Sequence, residues 1–173
     1  MWISFGRDLY DEVYLERKNR KNGFYIFNYF KIILKLYKMF VKDVSNRSEE
    51  QIRNEVELQK RAFRKGLSPR IISTDYKTYI KMEKIPEMSI ADKYGEDIKL
   101  VPNRIIKEIY KIVHTLYHEC DIQYVDVTPY NFIESDNRVW VVDFGDAIPV
   151  KKNWYLEDLL ENECILEWNP DYK

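Results

Sequence analysis

The amino-acid sequence predicts an α+β domain with two lobes, in which an antiparallel sheet comes first and helices dominate the second half. Aromatic and β-branched residues are frequent in the strand-like segments of residues 2–37. A capping box then opens a helix at Ser48, and apolar residues at helical spacing predict a long helix from about Ile105. Because 45% of the 173 residues are hydrophobic, the chain can bury the core of a single domain.

The elements of the first lobe follow from local signals and amount to five strands and one helix. In order, we predict a meander over residues 2–37, a polar stretch over residues 42–50, a helix from Ser48 to about Lys65, and short strands over residues 71–73 and 78–82. Ser48 and Gln51 have the spacing at which two side chains cap each other's backbone, so the helix is expected to begin there. Gly66 is expected to end it.

The second lobe begins with the strongest helical signal in the chain. Apolar residues recur there at helical spacing: Ile105, Ile106, Ile109, Ile112, Val113 and Leu116. After this helix we predict a hairpin with strands at residues 131–133 and 138–143, and a last helix over about residues 155–166. The whole chain, residues 1–173, is interpreted as one domain, with an N-lobe over about residues 1–83, a hinge over 84–101 and a reduced C-lobe over 102–173.

Charge and cysteine content exclude several classes of protein. The 28 basic and 29 acidic residues give a net charge of -1, so we expect no direct contact with nucleic acid and no attraction to a membrane surface. No apolar run approaches the roughly 20 residues that a membrane span needs. Cys120 and Cys164 have no CxxC spacing, and we find no leader peptide, which predicts a reducing compartment and a cytoplasmic protein.

Two carboxylates and one amide converge at the predicted hairpin. Asp126 and Asn131 lie five residues apart on the loop that enters it, and Asp143 leaves it. Because a hairpin turns its two ends back on each other, Asn131 and Asp143 are expected to be neighbours, with Asp126 just upstream. Hard oxygen ligands of this kind suit Mg²⁺, and a Mg²⁺ ion with few protein ligands usually binds a polyphosphate as well. The simpler alternative is a set of turn-forming residues around a hairpin.

These residues resemble the catalytic loop and the metal-binding Asp-Phe-Gly segment of the protein-kinase-like fold, here Asp143-Phe144-Gly145. The resemblance covers the chain in the right order from the N-terminal strands through Asp143. It implies a two-lobed kinase-like fold that uses ATP and Mg²⁺. In that comparison Asp126 is the catalytic residue that orients the receiving hydroxyl and accepts its proton, while Asn131 and Asp143 hold the metal.

The resemblance also requires a lysine on a strand paired with a glutamate on the following helix. Lys35 lies in a stretch similar to the kinase lysine motif, and Glu55 lies on or beside the core-facing stripe of the predicted helix. A carboxylate there needs a partner, because an unpaired buried charge costs several kcal/mol. We therefore expect Lys35 and Glu55 to position the ATP phosphates, with Lys31 and Lys38 as alternative strand lysines.

Further nucleotide contacts are implied in the N-lobe and at the hinge. Residues 79–85 resemble a kinase hinge, with Met82 as the gatekeeper and the backbone of Glu83 and Ile85 contacting adenine. Gly6 fits the first glycine of a glycine-rich loop, and Val13 lies on the strand that follows it. Asp8 and Asp11 stand where the other two glycines belong, and acidic side chains repel phosphates.

Departures from typical kinases indicate a reduced, atypical member. Tyr124 and Val125 replace the His and Arg that usually precede the catalytic Asp, and only 28 residues follow Gly145. In this respect the chain is similar to the RIO kinases and to the small kinase of the KEOPS complex. Our leading hypothesis is a Ser/Thr protein kinase. The alternatives are an ATP-binding or pseudokinase module that acts through a protein partner, and a small-molecule kinase.

Overall fold

The described part of the first lobe is a three-stranded antiparallel sheet covered by one helix. A computed structural model describes residues 39–149 and 153–172, which all fall within one unit of the chain. The elements of this lobe are β1 (Met39–Asp43), α1 (Glu49–Arg64), β2 (Ile71–Thr74) and β3 (Tyr79–Glu83), and the sheet order is β1-β3-β2. The other strands predicted for this lobe fall on residues 2–37, outside the described residues.

Both ends of α1 were predicted from their capping residues and are confirmed. The Ser48 hydroxyl accepts from the Gln51 amide while the Gln51 side chain accepts from the Ser48 amide, which is a complete capping box. At the other end Gly66 has a φ of +72°, and the amides of Gly66 and Leu67 donate back to Phe63 and Ala62. This Schellman arrangement favours glycine because a side chain is strained at that backbone angle.

The inner face of α1 packs on the sheet through a small apolar cluster. Its buried members are Val44, Ile52, Val56, Ile80 and Met82. Glu55 lies on the same face of the helix and is fully buried, as the sequence pattern predicted. The packing therefore holds one carboxylate in the interior, directly beneath the sheet.

The second lobe is built around one long helix and a hairpin. Its elements are α2 (Ile90–Tyr94), a 3-10 turn (Ile98–Leu100), α3 (Asn103–Cys120), β4 (Ile122–Gln123), β5 (Phe132–Ser135), β6 (Arg138–Val141), β7 (Ile148–Pro149) and α4 (Trp154–Glu161). The predicted apolar stripe of α3 is buried in the larger core except for Ile106, which is partly buried against it. Within the described ranges, no helix combines the length and apolarity needed to cross a bilayer.

The predicted hairpin forms, but its strands are Phe132–Ser135 and Arg138–Val141 in place of residues 131–133 and 138–143, because Ser135, predicted to lie in the turn, pairs with Arg138. Phe132 faces Val141 and Ser135 faces Arg138 in the antiparallel pair of β5 and β6. The two residues between the strands, Asp136 and Asn137, have φ angles of +53° and +60°, which is the backbone of a two-residue turn that suits Asp and Asn. The hairpin therefore brings the residues before β5 and after β6 together.

Two predicted segments, the crossing segment and the last helix, differ from the observed secondary structure. The crossing segment contains the short helix α2 and a 3-10 turn, because Ser89 caps α2 and Asp97 caps the turn. The last helix begins at Trp154 as expected but ends at Glu161, five residues early, and Glu163 beyond it has a φ of +53°. The proposed lobe boundaries remain predictions.

Candidate active site

A lysine near the end of β1 joins a carboxylate from each lobe. The Lys42 ammonium donates to Glu55 Oε1 at 2.6 Å and to Asp143 Oδ1 at 2.7 Å. The Lys42 side chain is 17% exposed, Glu55 is fully buried and Asp143 is 40% exposed, so exposure to solvent increases from Glu55 through Lys42 to Asp143. Charge-assisted hydrogen bonds of this length are among the stronger polar contacts in proteins.

Among the residues that the structure describes, the lysine that binds Glu55 is Lys42, whereas the sequence analysis expected Lys35. Lys35 lies outside the described residues, as do the alternatives Lys31 and Lys38. The sequence analysis had interpreted Lys42 as the start of a polar loop, whereas β1 continues through Asp43, with Lys42 opposite Ile80 of β3. One signal was available: Phe40-Val41-Lys42 directly precedes the capped helix, so its lysine is the nearest strand lysine to Glu55.

Arg47 is a second cation beside Glu55. Its guanidinium lies 3.6 Å from Glu55 Oε2, an oxygen that is buried without a hydrogen bond in the described structure. The same guanidinium covers Gly145, where an added Cβ would clash with Nη1 of Arg47. Arg47 was not singled out from the sequence, and its place just before the Ser48 cap is what aims it at these two groups. Glu55 therefore faces two cations but is hydrogen-bonded through one oxygen.

The loop before β5 folds back on itself around Asp126. The Asn131 side-chain amide donates to the backbone carbonyl of Asp126 at 3.2 Å, and the Thr128 amide donates to the same carbonyl at 3.0 Å. Burial raises the pKa of Asp126 above its ordinary value, although hydrogen bonds from Asn131 and Thr128 work in the opposite direction. The pair predicted from the spacing of five residues is therefore in contact.

Asp143 is fixed at the other end of the hairpin. The Val142 amide donates to the Asn131 carbonyl at 2.9 Å, which places Asn131 and Asp143 side by side as predicted. Asp143 has a φ of +59°, and its Oδ1 accepts from the Gly145 amide at 3.0 Å. Burial acts to raise the pKa of Asp143, but the charge and hydrogen bond of Lys42, together with the Gly145 amide, outweigh it and lower that pKa.

Tyr124 ties the two ends of the hairpin together. Its hydroxyl donates to the Val142 carbonyl at 2.6 Å, and its ring packs edge-on against Phe132 and Phe144. Burial raises the pKa of Tyr124 well above its ordinary value, so the hydroxyl stays protonated and donating. The sequence analysis noted Tyr124 only as a departure from the kinase pattern; the structure shows that it holds the backbone that carries Asp143.

The side-chain oxygens fit a divalent cation bound to phosphates. Lys42 and the Gly145 amide both use Oδ1 of Asp143, which leaves Oδ2 directed to neither. The Asn131 amide nitrogen faces Asp126, so its oxygen is available as a ligand. No group of three or more His, Cys, Asp or Glu residues is arranged to hold a metal in the described ranges. Asn131 and Asp143 are the residues that could hold Mg²⁺, with phosphate oxygens as further ligands.

The residues predicted to contact adenine lie at the end of β3. Met82 is buried, and the Gln59 side chain donates to its sulfur at 3.4 Å. The Glu83 amide donates to the Arg70 carbonyl at 2.9 Å, and Ile85 is half-buried. Their adenine contacts remain predictions. Gly6 and Val13 lie outside the described residues.

Comparison with known proteins agrees with this arrangement. Among curated proteins, none matches the chain. The family model of the RIO domain matches residues 46–166, more than half of the chain, and that range contains Glu55, the loop of Asp126 and Asn131, and Asp143. On this match, and with a kinase-like fold around these residues, the chain belongs to the RIO domain family of atypical protein-kinase-like proteins.

Proposed function

We propose that the protein is a Mg²⁺-dependent ATP phosphotransferase that phosphorylates Ser or Thr in a protein. The observation that carries the proposal is the double contact of Lys42, which binds Glu55 and Asp143 at once. A lysine held between a buried helix carboxylate and a partly exposed carboxylate is positioned to meet a polyphosphate. Family membership supports kinase-like or ATPase-like chemistry at this place.

The proposed role of Lys42 is to bind and orient the phosphates. Glu55, which is fully buried, fixes the ammonium from the side of the helix. In catalysis of this type, positioning and neutralisation of charge contribute most of the rate enhancement. Asn131 and Asp143 would hold Mg²⁺, which when bound neutralises charge on the phosphates.

The proposed role of Asp126 is to accept a proton. The acceptor hydroxyl oxygen forms a bond to the γ-phosphorus while the bond between that phosphorus and the bridging oxygen of ADP breaks, and the hydroxyl proton passes to the Asp126 carboxylate. Burial raises the pKa of Asp126, which makes the carboxylate a better base than an exposed one. The Asn131 and Thr128 contacts fix its loop, so the carboxylate does not need to reorganise.

The direct test is transfer of labelled phosphate from Mg·ATP to a generic protein substrate. We expect wild-type protein to transfer phosphate, and Asp126→Asn to lose at least about 100-fold of the rate, since general-base catalysis contributes factors of this order. Asp136→Asn is the matched control, because Asp136 lies in the hairpin turn, and it should keep full activity.

Binding of Mg·ATP to the same protein, measured as thermal stabilisation, distinguishes the phosphotransferase from the alternative functions. Nucleotide binding without transfer would favour an ATP-binding module that acts through a protein partner. Transfer to small alcohols in place of protein would favour a small-molecule kinase. Equal transfer by wild type and Asp126→Asn would contradict the proposed mechanism.

A further inference from the structure

An aromatic cavity of about 420 Å³ opens beside the loop of Asp126. Its walls are Glu96, Thr128, Pro129, Tyr130, Trp168 and Tyr172. Three of these residues belong to the loop that runs from Asp126 to Asn131, so the cavity adjoins the candidate active site directly. Its volume falls in the range of pockets that hold small ligands or single large side chains.

The far wall of the cavity is held in place by contacts with the loop. The buried side-chain amide of Asn169 donates to the Val125 carbonyl at 2.7 Å, and its backbone amide donates to the Val127 carbonyl at 3.0 Å. The Trp168 indole donates to the Glu96 carbonyl at 2.9 Å. The segment after α4 is thereby fastened to both the loop and the turn after α2, which makes the cavity a preformed site.

Among the described residues, the charges that act on the cavity wall are acidic. Glu96 is the charged residue in its wall, and Tyr130 donates a hydrogen bond to that carboxylate. The groups that act electrostatically on Tyr130 and Tyr172 are all acidic: Glu96, Asp92, Asp126, Asp146 and Asp171. None of the six wall residues is basic. Aromatic faces and carboxylates both attract cations.

We propose that this cavity is the acceptor subsite for a basic side chain, lysine or arginine, that flanks the hydroxyl to be phosphorylated. The inference rests on the proposed phosphotransfer and defines its substrate class as a basic peptide segment. The cation would lie against the rings of Tyr130, Trp168 and Tyr172, with Glu96 as its counter-ion. Aromatic rings also stack nucleobases, but the phosphates of RNA would be repelled by the surrounding carboxylates.

The test is a binding titration that requires no nucleotide. A fluorescent serine peptide flanked by arginines is compared with the same peptide carrying citrulline, a neutral group of similar shape. We expect the arginine peptide to bind about tenfold more tightly, and Glu96→Gln to weaken it about fivefold without affecting the citrulline peptide. Glu50→Gln, at an exposed position of α1, is the matched control and should leave both affinities unchanged.

Three results would overturn the inference: equal affinity for the two peptides, an arginine preference that Glu96→Gln leaves intact, or displacement of the peptide by an oligoribonucleotide that binds more tightly. Mg·ATP stabilisation and phosphate transfer are measured separately on the same wild-type protein. Loss of peptide preference with intact transfer would reject the subsite alone, whereas peptide binding without transfer would reject the phosphotransferase and keep the subsite.

Discussion

Two glutamates in the described part of the chain, Glu55 and Glu134, are buried in ion pairs, and their hydrogen bonds are satisfied to different degrees. Glu134 of β5 uses both carboxylate oxygens: Oε1 accepts from Arg104, while Oε2 accepts from Lys93 at 2.7 Å and from Tyr94 at 2.7 Å. Glu55 hydrogen-bonds through Oε1, to a lysine that also contacts Asp143. The first cluster joins β5 to α2 and α3, and the second joins α1 and β1 to the partly exposed Asp143.

This difference separates a structural charge cluster from a candidate functional one. A carboxylate whose hydrogen bonds are all made within the protein gains nothing from a ligand. In the cluster around Glu55, Asp143 and Arg47 keep hydrogen-bonding groups that a ligand can use. Because Glu55 is buried, leaving its charge incompletely paired is energetically costly. We therefore expect substitutions at Glu134 to affect stability and substitutions at Glu55 to affect activity.

The largest expected effect is on catalysis in Glu55→Gln. The neutral amide can still fill the space, but Lys42 loses its fixed counter-ion and pairs more fully with Asp143. We expect phosphate transfer to fall roughly 10- to 100-fold, in line with the value of a positioning contact in catalysis. Steady-state transfer rates measure the loss of activity, and urea unfolding of the same variant measures any loss of stability. A stability loss that accounts for all the lost activity would contradict the functional assignment.

Glu134→Gln is expected to give the opposite result. It should lower the free energy of unfolding by about 2 kcal/mol, because three donors lose a charged acceptor in a site that is 7% exposed. Transfer per folded molecule should be unchanged. Glu119→Gln is the control, since Glu119 pairs with Lys65 at a largely exposed site, and exposed pairs contribute less than about 1 kcal/mol. Equal destabilisation by the two variants would refute the comparison.

The free energy of unfolding at acidic pH should also depend on Glu134. Desolvation would raise the pKa of Glu134, but the hydrogen bonds of Lys93, Tyr94 and Arg104 outweigh it and lower that pKa from 4.5 to about 2. Because the pKa is lower in the folded state, the stabilisation is present above pH 4.5 and is lost as the pH falls toward 2. Urea unfolding across this range should show the wild-type and Glu134→Gln curves converging. Parallel curves would contradict this account.

The smallest expected effect concerns the contact between Arg47 and Gly145. Gly145→Ala places a methyl group where the guanidinium lies, and a flexible side chain can move away at a cost of about 0.5 kcal/mol. In an Arg47→Ala background the same substitution should cost less, because the obstacle is gone. A double-mutant cycle of unfolding free energies measures this coupling. Additive effects would show that the contact does not influence stability.

Much of the fold could be predicted because its signals are local. The capping box at Ser48, the αL position at Gly66 and the apolar stripe of α3 each depend on residues within a few turns of one another. The hairpin followed from two strands and a turn predicted at residues 135–137, of which Ser135 instead ends β5. Its geometry then placed Asn131 beside Asp143 without any tertiary information.

The parts of the site that were missed depend on contacts between distant elements. Lys42 meets Asp143 across 101 residues, and the sequence around it reads equally well as a strand end or a polar loop. Arg47 looks like a solvated loop residue until α1 orients it toward Gly145. The aromatic cavity forms only when the segment around Trp168 packs on the loop after Asp126, a pairing that no local pattern indicates.

The most direct test of the central claim is the affinity for Mg·ATP of three proteins, measured by isothermal titration calorimetry. The claim is that Lys42 provides the phosphate-binding charge of the site. We predict that Lys42→Met weakens binding at least about tenfold relative to wild type, while Lys35→Met and the exposed control Lys60→Met bind as wild type does. Unchanged affinity in Lys42→Met, or a loss confined to Lys35→Met, would contradict it.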